Sequence, residues 1–169
     1  MPKLFSLLCL FTCIAVYAQP MAELTPRGFE PLESAIPSMP AEKFIELSKS
    51  WATEFNRKQK GADVSNVTTN GMTITAFKKN AFFFRNKGEM FEYTIQYSMK
   101  LTFSNKSYTV KFTVNDIYAD DDTLVQYKLP DYFDSSGELK EDYADLKPSL
   151  ERTVNGILAS HYNFIVNFK

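Results

Sequence analysis

The stretch EMFEYTIQYSMKLTFSNKSYTVKFTVND, residues 89–116, alternates apolar and polar side chains over almost its whole length. A period of two is the pattern of a strand with one buried and one solvated face, and a helix over the same residues would smear it over all sides. Phe91, Tyr93, Ile95, Tyr97, Met99, Leu101 and Phe103 fall on one face, with Glu92, Thr94, Gln96, Ser98, Lys100 and Thr102 on the other. After Asn105-Lys106 the phase shifts, and Tyr108, Val110, Phe112 and Val114 become the apolar set. A two-residue turn there sets Phe103 opposite Tyr108, Leu101 opposite Val110 and Met99 opposite Phe112. Each apolar residue meets an apolar partner, and a slip of one residue would turn every one of them to water, so the register is strongly specified.

The same register writes out the polar face: Thr102 opposite Thr109, Lys100 opposite Lys111, Ser98 opposite Thr113, Gln96 opposite Asn115. Like charges directly across a sheet are destabilising. The two lysines therefore splay into water, take a carboxylate from a neighbouring strand, or meet an anionic partner. The plain structural outcome is the first. The functional candidate is a shallow anion or glycan site formed by Lys100 and Lys111 with Ser98, Thr102, Thr109 and Thr113.

The rest of the chain supplies the second layer. In AEKFIELSKSWATEFNRK, residues 41–58, Phe44, Leu47, Trp51 and Phe55 recur at helical spacing, with Pro40 suited to the start. A last helix is expected from around Asp145 to Pro148, with Leu146, Leu150, Val154, Ile157, His161, Phe164 and Ile165 on one stripe. Between these, a strand near Val64–Thr68, an Asn70-Gly71 turn, the strand MTITAF, a further strand at Ala81–Arg85 and a turn at Asn86-Lys87-Gly88 precede the long hairpin. Asp116–Asp145 is acidic and loop-rich, with room for a short strand near Leu124–Leu129. Helix, about four antiparallel strands and helix, each with one apolar face, define an α+β two-layer sandwich with both helices on one face of the sheet.

The N-terminus, MPKLFSLLCLFTCIAVYAQP, reads as a signal peptide: Lys3, an apolar run over Leu4–Ala15 and a small-residue cleavage site at Ala18. The run is too short to span a bilayer, and Leu8 and Thr12 before Cys9 and Cys13 do not suit lipoprotein processing. Export to the periplasm or beyond is expected, with residues 1–18 as signal, 19–39 as a leader carrying Pro20, Pro26, Pro31 and Pro37, and 40–169 as a single domain. Cleavage removes both cysteines, and with them thiol nucleophiles, zinc thiolates and disulfides. The formal charge of −1 over 169 residues argues against a nucleic-acid binder.

Catalytic signatures are absent: there is no GxSxG, Walker loop, GxGxxG or HExxH. His161 is the one histidine, and on an apolar helix stripe it reads as a core residue with its ring nitrogens satisfied. Asp120-Asp121-Asp122 reads as a solvated charge run rather than a calcium loop, since no glycine stands at the required turn position. KKNAFFFRNK, residues 78–87, interleaves basic and aromatic residues, yet three consecutive phenylalanines suit a strand at a covered edge or a partner contact. Asp122-Thr123-Leu124 fits a short O-glycosylation pattern, and Asn66 and Asn105 head N-linked sequons.

Taken together, the signal peptide, AEKFIELSKSWATEF with its Trp, the hairpin TIQYSMKLTFSNKSYTVKFTVNDIY, the turn SSGELKE and the helix LKPSLERTVNGILASHYNFI resemble a secreted Bacteroidetes family of domains of unknown function with a TATA-binding-protein-like fold. The resemblance spans Pro40 to Phe164. It implies that fold and an exported location, and it leaves function open. The family places an apolar strand before the first helix, where prolines interrupt this chain. The expectation is an exported non-enzymatic binding domain of the cell envelope, without cofactor or metal, contacting an envelope protein or an anionic or glycan ligand. The alternative is a structural accessory subunit docked through Phe82–Phe84 or a sheet edge.

Overall fold

A computed structural model describes residues 20–168; the expected signal segment and both cysteines lie outside the described residues. The strands are β1 (Leu24–Thr25), β2 (Gly28–Phe29), β3 (Leu32–Ala35), β4 (Ala62–Ser65), β5 (Gly71–Asn86), β6 (Glu89–Ser104), β7 (Ser107–Tyr118) and β8 (Leu124–Val125), with helices α1 (Ala41–Phe55) and α2 (Leu146–Asn167). β1 and β2 form a small ribbon, and the other strands make one antiparallel sheet in the order β3-β7-β6-β5-β4, with β8 also on β7.

The central hairpin pairs as its alternation dictates. Phe103–Tyr108, Leu101–Val110 and Met99–Phe112 face the core, while Thr102–Thr109, Lys100–Lys111 and Ser98–Thr113 face out. Past Tyr97, which lies opposite Val114, the register shifts and Gln96 meets Asp116 instead of the expected Asn115. Asn115 is the extra residue of a bulge. The shift turns Ile117 inward opposite Ile95, and both are buried. Unbroken alternation would have left Ile117 in water.

Six strands replace the expected four. Leu32–Ala35 lies along β7, from Leu32 opposite Val110 to Ala35 opposite Ser107. Pro31 and Pro37 flank this strand rather than interrupt it, and an edge strand needs only one row of backbone bonds. The strand before the first helix is therefore present. The preceding residues are tied to α2: the Asn155 amide bonds both the N–H (2.7 Å) and the carbonyl (2.9 Å) of Ala22, and Glu151 accepts from the Leu24 N–H at 2.7 Å. β8 is shorter than the strand expected near Leu124–Leu129, where a 3₁₀ turn begins at Leu129.

β5 is one sixteen-residue strand rather than two pieces, with an irregularity between Lys78 and Phe82. The left-handed residue in the β4–β5 connection is Asn66 (φ 50°), and neither Asn70 nor Gly71 adopts positive φ. Gly71 is needed for another reason, because a Cβ there would stand 2.8 Å from the Leu101 carbonyl oxygen. Phe44, Leu47 and Trp51 of α1, and Leu146, Leu150, Val154, Ile157, His161 and Ile165 of α2, are buried against the sheet's apolar face. Among the described residues the polar face carries no helix.

Candidate functional site

The open face is built by period-two alternation over β5, β6 and β7. Lys100 and Lys111 face each other across β6 and β7, and both are exposed. Ser98 and Thr113 form the adjacent pair on one side, Thr102 and Thr109 the pair on the other, so the six residues expected from sequence share one surface. Ser98 is partly engaged, with its hydroxyl donating to Asn115 Oδ1 at 3.2 Å.

Neighbouring strands do not neutralise the lysines. Thr73 is the β5 neighbour of Lys100. Among the carboxylates of this face, Asp63 stands beside Thr75, Glu33 accepts from the Ser107 hydroxyl at 2.7 Å, and Asp116 pairs with Lys128 at 2.6 Å. Among the described residues neither Lys100 nor Lys111 forms an ion pair. Two lysines at facing register positions, neither in an ion pair among the described residues and both bordered by hydroxyls, can attract and hydrogen-bond an anion.

The two lysines nevertheless open onto different hollows. Lys100 lines one of about 360 Å³ with Asn66, Thr68, Thr73 and Thr102. Lys111 lines another of about 310 Å³ with Arg27, Phe29, Lys128 and Pro130. Arg27 and Lys128 come from the β1–β2 turn and the segment after β8, and no periodicity in the sequence links them to Lys111. Lys128 is held by Asp116, whereas Arg27 has no ion pair among the described residues.

The remaining candidates are placed elsewhere. His161 is fully buried, with Nε2 3.0 Å from Ser48 Oγ and Nδ1 3.2 Å from the Tyr108 hydroxyl. Burial pushes its pKa down to about 3, which holds the ring neutral. Asp121 and Asp122 serve the β7–β8 turn. Asp121 accepts hydrogen bonds from Thr123, which lower its pKa, and Asp122 lies 3.8 Å from Lys60. Among the described residues no three His, Cys, Asp or Glu side chains gather to hold a metal ion, and no helix is long and apolar enough to cross a membrane. Thr123 is exposed, and Asn66 and Asn105 are left-handed turn residues.

The phenylalanine run divides by face. Phe82 is buried and stacks on Tyr93 at 5.1 Å, as does Phe84 from the other side. Phe83 turns to the opposite face beside Glu92, where the Arg85 guanidinium lies 5.1 Å from its ring centroid. The mixed basic and aromatic sequence is thus one buried stack and one outward phenylalanine, not a continuous stacking platform.

No family model matches the chain, and no curated protein does. Solved structures do share its architecture. A TBP-like protein from Parabacteroides distasonis aligns with a TM-score of 0.53 at 14% identity, over 83% of this chain and 93% of that one. A DUF4468 family protein from Bacteroides ovatus aligns with a TM-score of 0.51 at 12% identity, over 86% of this chain and 85% of that one. At these identities the likeness is one of fold, and the fold is TBP-like.

Proposed function

We propose that this protein is an exported, non-enzymatic binding domain of the cell envelope that takes an anionic or glycan ligand on the open face of its sheet. The observation that carries the reading is the Lys100–Lys111 pair, set opposite each other by strand register and, among the described residues, without an ion pair at either lysine. A fold that places like charges opposite each other forgoes stability, and an anion recovers it. Ser98, Thr102, Thr109 and Thr113 add short hydroxyls that suit the oxygens of a sugar. Export rests on the N-terminal sequence alone, and a non-enzymatic role on the missing catalytic signatures together with the burial of the one histidine.

The test is calorimetric titration with a soluble polyuronate and its neutral counterpart, using the wild-type chain and a Lys100→Glu, Lys111→Glu double variant. Binding of the polyuronate alone, abolished in the double variant at unchanged melting temperature, is expected. Retained affinity in the double variant would remove the lysine face from consideration. N-terminal sequencing of the protein from its native cells checks export, with Gln19 expected first.

A further inference from the structure

The β5–β6 hairpin outruns the rest of the sheet. β7 pairs with β6 only as far as Thr94, opposite Tyr118, and β4 reaches β5 only as far as Ala76, opposite Ala62. The last stretch, Phe82–Asn86 with Glu89–Tyr93, therefore has two outer edges. The β5 edge is covered by α2, where Ser149 Oγ accepts from the Phe83 N–H at 3.2 Å and Asp145 binds Arg85 at 2.8 Å. The β6 edge has no such cover among the described residues. Among the described residues no hydrogen bond from outside the hairpin reaches the backbone of Met90 or Glu92.

Those two residues point their backbone groups outward. In an antiparallel ladder alternate residues bond to opposite neighbours. The hairpin closes at Asn86–Glu89, so Glu89, Phe91 and Tyr93 bond to β5. The Phe103 N–H, of the same parity, donates to Asn70 O on the β5 side. The N–H and C=O of Met90 and Glu92 accordingly face the space where β7 would run if it continued. β7 instead turns away at Ala119–Asp122 and leaves a slot of about 500 Å³ lined by Met90, Phe91, Glu92, Tyr93, Asp120 and Asp121, among others. Met90 (54% exposed) and Phe91 (41%) give it apolar surface, and every charged side chain lining it is acidic.

We propose that this slot receives an extended peptide strand of a partner protein, which adds to the sheet beside Met90–Glu92 and carries basic side chains toward Glu92, Asp120 and Asp121. Unpaired strand backbone selects an extended segment. Phe91, on the apolar face, selects apolar residues at alternate positions of it, and Glu92 on the other face, with Asp120 and Asp121, selects lysine or arginine between them. A second copy of this chain does not suit the slot. Two-fold pairing centred on Phe91 would bring two acidic rims together. The inference goes beyond the lysine face and is independent of it, since slot and lysines lie on different parts of the sheet.

The probe is a capped heptapeptide alternating lysine and valine, with a glutamate–valine counterpart, added to the full chain. Titration is followed by fluorescence anisotropy and by hydrogen exchange at single amides. The lysine peptide is expected to slow exchange at the Met90 and Glu92 N–H groups, and the glutamate peptide to leave both unchanged. Glu92→Pro removes one outward N–H at an open edge, where proline is tolerated, and is expected to weaken binding by about tenfold or more without lowering the melting temperature. Glu92→Lys keeps the N–H and is expected to weaken binding through charge alone. The proposal is overturned if neither peptide protects those amides, if both peptides bind equally, if neither variant weakens binding, or if the amides become protected on raising protein concentration alone, which would make the slot a contact between copies.

Discussion

Nε2 of His161 on α2 lies 3.0 Å from Oγ of Ser48 on α1, and the same ring reaches the Tyr108 hydroxyl on β7 at 3.2 Å through Nδ1. One neutral imidazole therefore joins both helices to the sheet. Trp51, Tyr108 and Phe44 meet it edge-on, with ring centroids 5.0, 5.2 and 6.0 Å away. A neutral ring offers one donor and one acceptor, which is what two hydroxyls can satisfy.

The consequence is an acid-sensitive fold. Burial holds the His161 pKa at about 3, against 6.5 for the free side chain. Below about pH 6.5 the unfolded chain takes up a proton that the native state refuses, so stability falls as pH drops through this window and levels off below about pH 3. Each pH unit well inside it removes roughly 1.4 kcal/mol. Urea unfolding across the window checks this against His161→Phe, which lacks the titrating ring. That variant is expected to be the less stable at neutral pH, because it leaves Ser48 and Tyr108 without a partner, and to close on wild type as the pH falls. Parallel curves would show that His161 is not held neutral.

A second prediction concerns the segment before β1. Asn155 acts like an adjoining peptide group, accepting from the Ala22 N–H and donating to its carbonyl. Asn155→Ala leaves both groups unbonded beside a buried residue, at a cost of about 1–3 kcal/mol. Amide exchange should accelerate at Ala22 and Leu24 while the β6–β7 amides keep their protection. Uniform acceleration through the sheet would mean that the segment and the core unfold as one unit.

The parts of this structure that were legible in the sequence are those governed by period. The Lys100–Lys111 pair and the buried pairs beside it follow from alternation and one turn, and the helix stripes of Phe44, Leu47 and Trp51 follow from spacing. What was hidden depends on where strands stop and what they stop against. Asn115 looks like any polar strand residue, and only the need to bury Ile117 opposite Ile95 makes it a bulge. Leu32–Ala35 was masked by its flanking prolines, which forbid a central strand and permit an edge. Arg27 comes to line the same hollow as Lys111 through a turn whose position no local pattern reports. The slot beside Met90 exists because β7 leaves the sheet at Tyr118, a fact about the neighbour and not about residues 89–93.

Two glycines show the same distinction between local preference and close approach, and they predict opposite signs. Gly156 lies within α2, is exposed, lacks positive φ, and a Cβ there would meet nothing within 4 Å. Alanine at that position adds helix propensity and lowers the entropy of the unfolded chain, so Gly156→Ala should raise stability by about 0.5–1 kcal/mol. Gly71 also lacks positive φ, and by backbone conformation alone alanine would be tolerated. Its Cβ, however, would lie 2.8 Å from the Leu101 carbonyl oxygen, a backbone atom in the central strand that cannot swing aside. Gly71→Ala must push β5 from β6 at the end of their ladder and should cost about 1–3 kcal/mol, as overpacking does. Chemical denaturation of both variants beside wild type decides the matter. Equal stabilisation would show that the two strands relax at Gly71 without loss, and that the glycine there serves no close approach.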